Sequence, residues 1–179
     1  MNWIWFLVRI TGLAAYLLLT LSVLAGIYRH IPRKKAPILE FHQIIGQVAL
    51  LGIALHAFLL FFDHYEPYSL STVLIPFMSE NHRFLIGIRT ISAYLLILVV
   101  VTSDFMKAVG KSAWKKAHYL VFPVWFLAWL HSVNIGSDSG TVWAQGLYWG
   151  SFVAVLLSTF YMVVGINRKN KSSYLEERA

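Results

Sequence analysis

The chain contains no cysteine, which excludes disulfides, iron–sulfur clusters and any thiolate metal ligand. Charge is also scarce: 13% of 179 residues are charged against 58% hydrophobic, too few to coat a soluble domain. Acidic residues are the scarcest, with eight Asp and Glu against fifteen Lys and Arg and a net charge of +7. Such a balance can signal nucleic acid, but here the basic residues fall in short stretches between apolar runs. They report membrane topology and not a nucleic-acid face. No G-x-G-x-x-G run occurs, so the chain carries no dinucleotide-binding fingerprint of its own.

What the sequence has in abundance is apolar runs. Five of them, at 3–27, 41–62, 84–102, 118–133 and 142–166, are near the length a helix needs to cross a bilayer. The expected fold is all-α, a polytopic membrane bundle of about five transmembrane helices. Residues 1–167 form one membrane domain, followed by a short basic tail at 168–179. The first run has neither a normal signal-peptide n-region nor a small-residue cleavage site, so it is expected to be a retained helix. Pro32, Pro37, Pro67 and Pro76 lie between runs, and only Pro123 falls inside one.

The basic residues divide the connections by side. Arg29, Arg33, Lys34 and Lys35, then Lys107, Lys111, Lys115 and Lys116, then Arg168, Lys169, Lys171 and Arg178 all fall on one side. The other side holds Asp63, Glu66, Glu80 and Asp138 against Arg83. The positive-inside rule then places the N-terminus outside and the C-terminus in the cytoplasm of a multi-pass protein in the cell membrane.

Two of the runs carry histidines in matched positions. His42 and His56 stand fourteen positions apart, His118 and His131 thirteen. At about 1.5 Å per residue these steps are roughly 21 and 20 Å, most of a hydrocarbon core of about 30 Å. Histidine within a membrane span is costly and marks function. Runs two and four have the same direction, so His42 is level with His118 and His56 with His131. Two bis-histidine sites stacked across the membrane suit two haems, held between facing helices.

Arg9 and Arg89 lie at the depth of His56 and His131, about five or six residues from the outer end of their runs. Arginine is suited to partly buried carboxylates, so both are candidates for the propionates of the outer haem, with snorkelling to headgroups the alternative. At the inner site Arg29, Arg33, Lys115 and Lys116 are equivalent candidates. Gly46, Ala49 and Gly52 share a wedge of about 120° with His42 and His56, where small residues would let a porphyrin approach the backbone. Helix packing is the alternative use of such residues. His118 and His131 are about 140° apart on an ideal helix, and a change of twist at Pro123 is needed to bring them to one face.

Other features carry less. Phe122, Trp125 and Trp129 fill the level between the two sites and could lie on an electron path. Trp3, Trp5, Trp114 and Trp143 mark an aromatic belt. His30, His64 and His82 read as solvated or interfacial. The run LSTVLIPFM in the loop 63–83 is too short to span, and is expected to lie on the membrane or to cap the outer haem. GLYWG at Gly146–Gly150 is a candidate packing face.

The run TSDFMKAVGKSAWKKAHYLVFPVWFLAWLH, with the histidine spacing, resembles the ferric reductase-like transmembrane domains. These include the membrane part of ferric reductases and NADPH oxidases and the haem-binding subunit of the methionine sulfoxide reductase system. The resemblance covers roughly residues 10–165 and implies two b-type haems, His42 with His118 at the inner and His56 with His131 at the outer. The family usually has six spans, one more than is read here, and its oxidases carry a flavin and nicotinamide domain.

The expected activity is that of a dihaem membrane cytochrome, an oxidoreductase subunit without its own flavin domain. A cytoplasmic flavoprotein or quinol would give electrons, and ferric iron, oxygen or an outer redox protein would take them. The alternatives are the haem-binding subunit of a methionine sulfoxide reductase system, or a transporter of metal or haem.

Overall fold

The computed structural model describes residues 3–29, 36–64 and 68–176, and of residues 36 and 166–176 the backbone alone. The described residues are helical almost throughout, with no strand. The helices are α1 (Trp3–Tyr28), α2 (Ala36–Leu59), α3 (Leu70–Leu74), α4 (Arg83–Asp104), α5 (Met106–Val109), α6 (Lys111–His118), α7 (Val121–Ile135) and α8 (Val142–Glu176). A 3-10 turn, Leu60–Phe62, ends α2. Among the described residues four helices are long and apolar enough to cross a membrane: α1, α2 with its 3-10 turn, α4, and α8 as far as Gly165.

The run at 118–133, expected as one span, is divided. His118 ends the short basic helix α6, and α7 holds only fifteen residues, about 22 Å of helix. The division follows from Pro123, which has no N–H to give the Tyr119 carbonyl. Phe122 N–H takes that carbonyl instead, at 3.3 Å, and Leu120 N–H bonds Ala117 one residue closer than α-helix spacing. These tighter turns add rotation per residue, in the sense that narrows the ideal 140° gap between His118 and His131.

Before α6 the chain turns at Gly110, whose φ of 88° and ψ of 144° lie in a region essentially reserved for glycine. The basic tail expected at 168–179 does not begin as a separate segment, because α8 runs on to Glu176. His30, Pro32, Arg33, Lys34, Lys35, Glu66, Pro67 and Arg178, named above, lie outside the described residues, as do the side chains of Arg168, Lys169 and Lys171.

Two antiparallel pairs build the bundle. α1 packs along α2, α4 along α7, and α8 closes against α1 and α7. In lipid there is little hydrophobic drive between apolar helices, so association rests on close packing and interhelical hydrogen bonds. Both are present. Gly46 of α2 meets Ser22, with 3.2 Å between an added Cβ and the Ser22 hydroxyl, and Gly52 meets Ala15 at 3.3 Å. Ala49 between them is fully buried. The small face of α2 therefore packs on α1 and is not open to a porphyrin, which corrects the use expected for Gly46, Ala49 and Gly52.

Polar side chains tie the other helices. Tyr16 bonds Ser151, Trp125 donates to Thr20 Oγ1 at 2.9 Å, Trp129 donates to the Tyr148 carbonyl at 3.0 Å, and Ser92 donates to the Val124 carbonyl at 2.9 Å. Trp125 and Trp129 also stack on Phe152, so both are built into the core of the bundle. Gly146 and Gly150 face open space, so the two glycines of GLYWG serve no packing within the described chain, while Tyr148 between them is buried against Tyr16.

Candidate functional site

The histidines of α2 are seated by α1. His56 Nδ1 lies 3.0 Å from the Val8 carbonyl, and His42 Nδ1 lies 2.8 Å from the Ser22 carbonyl. A carbonyl only accepts, so in both rings Nδ1 carries the proton. Nε2 is then left with its lone pair. Ser22 Oγ lies 3.1 Å from the same His42 nitrogen, and its hydroxyl donates to the His42 carbonyl at 3.2 Å. This is the arrangement by which a ligating histidine is usually held, one nitrogen on a fixed acceptor and the other on a metal.

Across from α2, the histidines of α7 and α6 stand on α4. His118 Nδ1 lies 3.4 Å from Ser103 Oγ, which donates to the Val99 carbonyl and accepts Trp114 Nε1–H at 3.2 Å. Trp114 lies beside the His118 ring, with 5.4 Å between centroids. His131 Nδ1 is buried and has no hydrogen-bond partner among the described residues, the Leu85 carbonyl being near but outside hydrogen-bond geometry.

His42 and His118 come close together. The His42 and His118 ring centroids are 5.8 Å apart with planes at 80°. Two imidazoles on opposite sides of one metal stand about 6 Å apart, from bonds of about 2.0–2.1 Å plus a ring radius of about 1.1 Å on each side. At the other end, His56 and His131 line one cavity of about 380 Å³, together with Arg9 and Arg89. That volume is within the roughly 300–1,000 Å³ of small-molecule and cofactor pockets. All six residues singled out from the sequence thus fall at two levels of one bundle.

The two arginines differ. Arg9 is paired with Asp138 through Nε and one terminal nitrogen, and its guanidinium lies 4.3 Å from the centroid of Trp5. Arg9, a candidate for a propionate, thus has a protein carboxylate as its partner. Arg89 lies 5.0 Å from the centroid of Tyr68 and is close enough to both His56 and His131 to act on them electrostatically. At the other end Arg29 reaches the field of His118, while Lys115 and Lys116 are exposed on α6.

Asp63, Tyr68 and Val73, from the loop 63–83, line the cavity. Ser69 caps α3 by accepting Thr72 N–H at 3.2 Å, and Thr90 of α4 donates to the Val73 carbonyl at 3.2 Å. Asp63 is buried. Leu70, Leu74, Ile75 and Met78 of the same loop are exposed. His64 and His82 are exposed and line no part of the cavity.

Among the described residues no group of three or more His, Asp or Glu side chains could hold a bare metal ion. A pair of imidazoles is the protein's donor set in many haem sites, where the macrocycle supplies the remaining ligands. The sequence reading missed Gly12, Gly26, Ser22, Ser103 and Asp138. Gly26 and Ser22 lie one turn apart, as do Gly12 and Val8, a repeat that could have been read from α1. Comparison with protein-family models, curated proteins and solved structures returns no match.

Proposed function

We propose that this chain is a dihaem b-type membrane cytochrome that passes single electrons from one membrane face to the other. The observation that carries the reading is the seating of His42 and His56: each donates its Nδ1–H to a carbonyl of α1, which leaves Nε2 with a lone pair able to meet a metal. The donor set fits the group. His42 with His118 would hold one haem, and His56 with His131 the other, with Arg89 placed to meet a propionate. Haem supplies reversible one-electron chemistry at iron. The protein's part is to bind it, orient it and exclude water.

With His42 and His118 holding one haem and His56 and His131 the other, the group would supply electron relay and not substrate activation. Trp125 and Trp129 of α7 pack with Phe152 in the core of the bundle, at the depth between the two pairs. With the basic connections cytoplasmic, His42 and His118 lie toward the cytoplasm and His56 and His131 toward the outside. Electrons would enter from a separate flavoprotein or a quinol at the first pair. They would leave to ferric iron, oxygen or an outer redox protein at the second. Membrane lipid covers the exposed apolar faces.

The test is a dithionite-reduced minus oxidised spectrum of the purified protein, with haem counted per chain. Two b-type haems are expected. A folded protein that takes up no haem when haem is supplied overturns the reading.

A further inference from the structure

The two histidines of α2 rest on the same element of α1, repeated once. His56 gives Nδ1–H to the carbonyl of Val8, and the ring lies on Gly12, four residues later. His42 gives Nδ1–H to the carbonyl of Ser22, and its ring lies on Gly26, again four residues later. Residues i and i+4 stack on one helix face, so each carbonyl and each bare glycine form one seat. The seats are fourteen positions apart on α1, and so are the histidines on α2. Antiparallel packing brings both into register at once.

The space at each glycine is taken by the ring. A Cβ on Gly12 would lie 2.9 Å from His56 Cε1 and 3.0 Å from Nδ1; on Gly26 it would lie 3.1 and 3.3 Å from the same atoms of His42. An imidazole could swing away from a methyl group, but only by lengthening or bending its bond to the carbonyl. Gly46 and Gly52 are different, because their neighbours are Ser22 and Ala15 and no histidine. Those two serve helix packing.

We propose that Gly12 and Gly26 are positioning residues, each setting the ring plane and the protonated nitrogen of one histidine, and each acting on its own site alone. The consequence for haem rests on the dihaem reading above; the seating of the rings does not. With haem, the angle between axial imidazole planes shapes the low-spin iron signal, and the Nδ1 bond raises ligand basicity. Each glycine would therefore tune one iron.

The experiment has two arms. In the first, haem-loaded G12A, G26A and G52A full-length proteins are compared by electron paramagnetic resonance and by redox titration. G12A is expected to shift the one signal that H56A abolishes, G26A the one that H42A abolishes, and G52A neither. If G12A and G26A leave both signals in place, or if each moves both, the proposal is overturned. In the second arm, ¹⁵N-histidine NMR of the haem-free parent protein reads which ring nitrogen carries the proton. His42 and His56 are expected to carry it on Nδ1, and Nε2 protonation of both overturns the seating whether or not any variant folds. Absence of haem uptake would instead fail the dihaem reading, and the NMR arm would still decide this one.

Discussion

Arg9, in the second turn of α1, and Asp138, in the turn before α8, form a two-point ion pair across 129 positions of sequence. Their side chains are 27% and 11% exposed, so the pair is neither solvated nor fully buried. A fully buried pair broken on one side costs about 3–5 kcal/mol, and a surface pair about 0–1. D138A is therefore expected to cost about 1–3 kcal/mol, leaving the Arg9 charge against Trp5 and the cavity wall. Thermal unfolding of D138A, R9A and the double variant in detergent checks this. The double variant should recover part of the loss. Additive losses would mean that the two residues do not act as a pair.

This pair also shows where sequence reading stopped. Arg9 was legible as a buried cation at the depth of His56, since its distance from the helix end needs only counting. Its partner was not. Asp138 belongs to a short polar turn and scores as one more acidic residue on the outer side, and only the closure of α8 on α1 brings it to Arg9. The histidine levels were legible because rise per residue and helix direction fix height without knowledge of packing. Rotation about each helix axis was not. Gly46, Ala49 and Gly52 share a face with the histidines, but the sequence does not say whether that face meets a cofactor or α1. The break before α7 was half legible: Pro123 signals a change of twist, while its effect on the Tyr119 carbonyl needs coordinates.

On the dihaem proposal, H56A and H131A are each expected to remove the same one of two haems, and H42A and H118A each to remove the other. The basis is the 5.8 Å separation of the His42 and His118 rings and the single cavity shared by His56 and His131. Haem per chain, measured as pyridine haemochrome, should fall from two to one in every case. Retention of both haems in H56A, or loss of both in all four variants, would break the pairing.

Trp125 fills the layer between the two levels, and its role can be separated from electron transfer. Its indole N–H donates to Thr20 at 2.9 Å, and its ring stacks on Phe152. W125F keeps an aromatic ring and loses the hydrogen bond, for an expected cost of about 0.6–1.7 kcal/mol. Haem content and the rate at which the second haem follows the first should be unchanged. A tenfold slowing in stopped-flow reduction, with both haems still bound, would make Trp125 part of the electron path.

Arg89 stands within the electrostatic field of both His56 and His131 and lines their cavity. Reduction of iron adds one negative charge, so a nearby fixed cation stabilises the reduced state and raises the potential. Removing it must therefore lower the potential of that haem. A unit charge about 8 Å away at an effective dielectric near 20 is worth roughly 2 kcal/mol, on the order of 50–100 mV. R89Q is expected to lower the midpoint of the haem that depends on His56 by that amount and to leave the other within error. R89K keeps the charge and loses the planar fork that suits a carboxylate. It should hold the potential near the parent value while binding that haem less tightly. Equal shifts of both midpoints in R89Q would place Arg89 between the two sites and not beside one. A rise in the midpoint would mean that Arg89 acts through another charged group whose field it masks.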